Sequence, residues 1–121
     1  MNNLQFNGEN YTLELTRGDT ALLEFKFVDD EGYPSNLTDH ELLLTVKEWT
    51  NDSDVDSKFQ LSPHEHEDSD PENGIIYFKI KPANTKTLEY KKYSFDVQIT
   101  KDDDVWTPIV AYLTIKKEIK F

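Results

Sequence analysis

The stretch that decides the fold reads Tyr93-Ser94-Phe95-Asp96-Val97-Gln98-Ile99-Thr100-Lys101-Asp102-Asp103-Asp104 and continues through Ile109-Val110-Ala111-Tyr112-Leu113-Thr114-Ile115. Tyr93, Phe95, Val97 and Ile99 alternate with polar Ser94, Asp96, Gln98 and Thr100, and Ile109, Ala111, Leu113 and Ile115 interleave with Val110, Tyr112 and Thr114. Successive side chains of a strand point to opposite faces, so a period of two turns one apolar face inward and leaves the other to water. Lys101-Asp102-Asp103-Asp104 between the two runs has the polar chemistry of a hairpin tip.

The same alternation extends upstream. Tyr11, Leu13 and Leu15 form one run, Leu23, Phe25 and Phe27 a second, Leu42, Leu44 and Val46 a third, and Ile76, Phe78 and Ile80 a fourth. Lys58 to Leu61 adds a weaker candidate, which brings the expectation to about seven strands. Arg17-Gly18-Asp19 and Asp29-Asp30-Glu31-Gly32-Tyr33-Pro34 read as turns, with Gly18, Asp19, Gly32 and Pro34 as their structural residues. Glycine reaches positive φ without steric cost, and proline cannot donate to a ladder. Only Thr38 to Glu41, and Ala83 to Leu88 after Pro82, have room for a helical turn. Short strands with one apolar face must bury that face against another sheet. The expectation is therefore an all-β, single Ig-like antiparallel β-sandwich spanning residues 1–121.

From Thr50 to Asn73 the rhythm breaks. Asp52, Asp54, Asp56, Glu65, Glu67, Asp68, Asp70 and Glu72 stand against Lys58 alone, so this segment reads as a long acidic loop around one short edge strand. The whole chain of 121 residues has 13 basic and 24 acidic side chains, a net charge of -11 that repels nucleic-acid phosphates and anionic lipid. Neither nucleic acid nor membrane is an expected partner. No run approaches the roughly 20 apolar residues of a membrane span, and Met1-Asn2-Asn3-Leu4 lacks signal-peptide character, so synthesis in the cytoplasm without signal-peptide secretion is expected. With no cysteine, core packing alone must hold the fold.

Several motifs invite chemical readings that simpler ones displace. His64-Glu65-His66-Glu67-Asp68 offers metal-ligand types, but only His40 remains as a further histidine and nothing fixes the tautomers. Asp52, Asp54 and Asp56 imitate the start of a calcium loop, which then fails at Ser57 and Pro63. Arg17-Gly18-Asp19 has the letters of an integrin tripeptide and the composition of a tight turn. Glycosylation patterns at Asn10, Asn36 and Asn51 come with no secretory signal. No nucleophile motif, zinc-protease motif or phosphate-cradling glycine loop occurs, so the chain is not expected to be an enzyme or to carry a cofactor or metal.

Taken in order, Thr16-Arg17-Gly18-Asp19-Thr20, Asp30-Glu31-Gly32-Tyr33-Pro34-Ser35-Asn36-Leu37-Thr38, Gly74-Ile75-Ile76-Tyr77-Phe78, Tyr93 to Ile99 and Thr107-Pro108 run over roughly residues 11 to 115. This series resembles the N-terminal domain of baseplate upper proteins from phages and prophages of Gram-positive bacteria. The resemblance implies a β-sandwich module that docks into a tail baseplate, helps carry the receptor-binding apparatus and performs no catalysis. It implies other tail proteins as partners, or further copies of itself, and a final location in the virion tail. The alternative is a carbohydrate-binding or adhesin-like sandwich in which Trp49, Trp106 and Tyr112 stack on sugars.

The last strand suggests where a partner attaches. Beyond Ile115 the alternation resumes at Ile119 and Phe121, which either cover the open end of the core or form an edge that pairs with another chain. Tyr112 and Lys116 complete the expected interface, and Lys116, Lys117 and Lys120 would be drawn to the acidic loop of a neighbouring copy.

Overall fold

The structure, a computed structural model, describes residues 2–6, 12–29, 31–48 and 57–117, with only the backbone described for 2–6, 108 and 109. The strands are β1 (Asn2–Phe6), β2 (Thr12–Thr16), β3 (Ala21–Lys26), β4 (Glu41–Lys47), β5 (Phe59–Leu61), β6 (Ile75–Ile80), β7 (Lys92–Lys101) and β8 (Asp104–Lys116). They make a three-stranded sheet in the order β1-β3-β6 and a five-stranded sheet in the order β2-β8-β7-β4-β5. The all-β sandwich is as the alternation requires. β5 is an edge strand and leads into the acidic segment from Ser62 to Glu72.

Two pairings depart from the expected antiparallel order. β2 runs parallel to β8, from Thr12 opposite Tyr112 to Thr16 opposite Lys116, and β1 runs parallel to β3, from Asn2 opposite Ala21 to Phe6 opposite Phe25. The reason lies in the turn at Gly18. It does not close a hairpin, because β2 and β3 belong to different sheets and the chain crosses between them there. β1 itself escaped the sequence pattern, since Leu4 and Phe6 give only two apolar alternations among Asn2, Asn3 and Gln5.

Alternation places the core. Leu13 and Leu15, Leu42, Leu44 and Val46, Tyr93 to Ile99 at odd positions, and Ala111, Leu113 and Ile115 line the inner face of the larger sheet. Leu23, Phe25, Ile76, Phe78 and Ile80 meet them from the smaller one. Phe25 sits at the centre, edge-on to Phe78 at 5.4 Å and to Phe95 of the facing sheet at 6.5 Å. Tyr93, also buried, turns its hydroxyl back on the chain: it accepts the Glu89 N–H at 3.0 Å and donates to the Glu89 carbonyl at 3.2 Å. This corner locks the approach to β7 in the manner of Greek-key sandwiches. Burial raises the pKa of this phenol above its ordinary value.

The turns follow their residues. β7 and β8 join through Asp102 and Asp103, with Asp102 at φ 54, a region aspartate tolerates better than most side chains. The ladder slips between Val97 and Ile99, where Gln98 faces both Thr107 and Pro108. A proline has no N–H to give, and a bulge is where a strand can hold it. Of the two expected helical turns, Pro82–Thr85 forms α1, with Asn84 Oδ1 accepting the Lys81 N–H at 2.7 Å, whereas Thr38 and Asp39 make only a turn. A single turn of 3-10 helix, Pro71–Asn73, was not foreseen.

Gly18 stands at φ +85, and a Cβ added there meets nothing within 4 Å. The cost of a side chain is therefore conformational alone. Gly18→Val is expected to destabilise by about 1 to 3 kcal/mol. Urea unfolding checks it, and an unchanged midpoint would show that the positive φ is wrong.

Candidate interaction surface

Outward positions of β2, β8 and β7 make one continuous face. Thr12 lies opposite Tyr112, Tyr112 opposite Ser94, and Thr114 between Glu14 and Lys92. On this face Val110 is 46% exposed and Tyr112 is 40% exposed, large apolar groups that a solvated sheet face would ordinarily replace with polar ones. The Lys92 ammonium lies 4.3 Å from the centre of the Tyr112 ring, and Lys116 pairs with Glu14 at 3.1 Å. Charges therefore frame an apolar centre, the anatomy of a modest protein-docking patch. Farther across the sheet the outward side chains are themselves buried: Thr45, Ser94 and Lys47, the last within 3.5 Å of Asp96.

Of the four residues expected at an interface, Tyr112 and Lys116 share this face of β8, while Ile119 and Phe121 lie outside the described residues. Gly18 and Asp19 are held in the β2–β3 crossing, where Gly18 N–H donates to Thr85 Oγ1 at 2.9 Å and Asp19 N–H to the Thr16 carbonyl at 3.1 Å. Arg17 donates to the Leu88 carbonyl at 3.3 Å and lies 4.2 Å over the Tyr90 ring, so the tripeptide is tied into its own corner. Gly32, at φ +87, and Pro34 belong to a loop organised by Asp29, whose carboxylate accepts the Glu31 and Tyr33 N–H groups. Trp106, 41% exposed, packs edge-on to His40 at 5.6 Å, and Trp49 lies outside the described residues.

The two histidines read as possible ligands are not brought together for that purpose. His66 stacks on Tyr77 at 4.3 Å, and its Nδ1 accepts the Asp68 N–H at 3.1 Å. That bond makes Nε2 the protonated nitrogen of the neutral ring. No group of three His, Asp or Glu able to hold a metal occurs among the described residues, and Asp52, Asp54 and Asp56 lie outside them.

Tyr77 takes an outward position on β6, which alternation assigns to solvent, yet it is only 3% exposed. Its hydroxyl donates to the Glu24 carboxylate opposite it on β3. That bond, reinforced by burial, pushes the phenol from 10.0 up to about 12. An unfolded tyrosine loses its proton near pH 10, before the folded one does, so stability drains away as pH rises through the window between about 10 and 12. Ultraviolet titration is expected to show a phenol ionising near the top of that window that disappears in Tyr77→Phe. If the phenol lost on substitution had ionised near pH 10 instead, the Glu24 bond would be refuted.

No protein-family model matches the chain, and no curated protein sequence does. Solved structures do resemble it. The cysteine protease inhibitor EhICP2 from Entamoeba histolytica aligns at 10% identity with a TM-score of 0.45, over 94% of this chain and 96% of that one. The N-terminal domain of phage TP901-1 ORF48 aligns at 9% identity with a TM-score of 0.61, over 96% of this chain and 98% of that one. At that identity the likeness is one of fold, and it runs the full length of both.

Proposed function

We propose that this chain is a non-enzymatic structural module of a phage or prophage tail baseplate that docks to other tail proteins. The observation that carries the reading is the end-to-end correspondence in fold with the N-terminal domain of a phage protein, 96% of one chain against 98% of the other. The ordered series of turns and strands from Thr16 to Pro108 points the same way independently of that fold. Attachment runs through the outer face of β8, where Val110 and Tyr112 supply apolar area and Lys92, Lys116 and Glu14 set orientation.

Co-expression with the products of adjacent genes, followed by sedimentation, tests the proposal. A stable complex is expected with at least one of them. Val110→Asp combined with Tyr112→Ala should weaken it by about tenfold or more while leaving the melting temperature of the isolated chain unchanged. A chain that stays alone with every such product, and is absent from purified tail particles, would sink the reading.

A further inference from the structure

A second surface lies at the end of the sandwich where β4 begins and the β7–β8 hairpin turns. Two open cavities of about 460 and 420 Å³ meet there at His40, Leu42 and Pro63. Leu37, Leu42, Pro63, Pro71 and Ile76 contribute apolar lining. The rim carries Glu41 on one side and Asp39, Asp70 and Glu72 on the other, and no lysine or arginine among the described residues lines either cavity. Asp70 is occupied, since its carboxylate accepts the Asn73 side-chain amide at 2.7 Å. Asp39, Glu41 and Glu72 form no ion pair among the described residues.

The groove is preformed. Leu37 N–H donates to the Pro71 carbonyl at 2.8 Å, His40 N–H to the Leu37 carbonyl at 3.1 Å, and Thr38 N–H to Asn36 Oδ1 at 3.0 Å. The loop carrying Asp39 is thereby fastened to the segment carrying Glu72. A ligand that enters need not order these walls, which removes one cost of binding. Carboxylates without an ion pair among the described residues repel one another until a cation arrives, and they turn away an acidic segment.

We propose that this groove docks a cationic, apolar segment of a partner protein, a loop in which an aliphatic side chain rests on Leu42 and Pro63 while a flanking arginine or lysine meets Asp39 and Glu72. The proposal rests on the docking reading above for the partner being another tail protein, and uses residues other than Val110 and Tyr112.

The probes are short acetylated peptides with a leucine between two arginines, titrated into the full chain and followed by amide and indole chemical shifts. Saturable shifts are expected at residues 37–43 and 70–72 and at the Trp106 indole. The version with two glutamates should give none, and replacing the leucine by serine should weaken binding. Asp39→Asn with Glu72→Gln should weaken it by about three- to tenfold, whereas Asp19→Asn with Glu89→Gln, the same charge change at the opposite end, should not. Absence of saturation, equal losses in the two double variants, or binding of neutral oligosaccharides in place of the peptide would overturn the proposal. If the groove binds the peptide but no tail protein ever associates, the functional reading fails alone. If tail association persists while the groove stays indifferent to the peptide, the groove fails alone.

Discussion

Gly74→Ala is expected to destabilise the chain by about 3 to 4 kcal/mol, more than the same change at Gly18 or Gly32. Gly74 stands at φ +75, and a Cβ there would lie 2.4 Å from the Phe27 carbonyl oxygen and 2.9 Å from that of Ser35. Neither oxygen can retreat cheaply. Phe27 N–H donates to the Gly74 carbonyl at 2.9 Å, Ser35 N–H donates to the Phe27 carbonyl at 2.9 Å, and Gly74 N–H caps the 3-10 turn through the Pro71 carbonyl at 3.0 Å. Moving one strand of backbone breaks bonds made by the next. Thermal or urea unfolding checks the value. A loss no larger than that of Gly18→Ala would mean that the three segments are not in contact, because Gly18 shares the positive φ but has open space around it.

Phe25→Ala is expected to cost about 3 to 5 kcal/mol, through both lost burial and the cavity left behind. Phe25 has no exposure, and its ring contacts Phe27 just beyond β3, Phe78 on its own sheet and Phe95 on the facing one. Those three neighbours approach from two sheets whose spacing is set by many other pairs, so they cannot collapse into the void. Phe25→Leu retains most of the volume and should recover more than half of the loss. If both variants melt with the wild-type chain, the aromatic cluster does not hold the sheets together.

The strands were legible because alternation is local information: Tyr93, Phe95, Val97 and Ile99 declare a half-buried strand whatever lies beside them. Which strand lies beside them is not local. Thr12 opposite Tyr112 joins residues from the two ends of the sequence, and nothing in either residue encodes the pairing or its parallel sense. β1 was lost for want of a third apolar position, and Tyr77 because an outward residue can be buried by a loop such as the one that brings His66 onto its ring. The importance of Gly74 lies in two carbonyls that arrive from Phe27 and Ser35, which local sequence does not encode. The patch on β8 was half visible, since Val110, Tyr112 and Lys116 fall on one face by parity alone, whereas the exposure of its apolar groups shows only once the sheet has an inside. The groove needed three separate loops to meet and left no mark on any of them.

The parallel pair β2 and β8 also determines how the module answers tension. A pull transmitted through Thr12 and Lys116 draws the N-terminal end of one strand and the C-terminal end of its parallel neighbour in opposite directions. The slanted, evenly spaced hydrogen bonds between them then lie across the line of force and bear it together in shear. An antiparallel pair pulled from adjacent ends would instead open one rung at a time, like a zipper. Leu13 and Leu15 slide only by leaving the core, which adds desolvation to the work of rupture. The five paired positions from Thr12 to Thr16 thus act as a mechanical clasp that must give way together and not in turn.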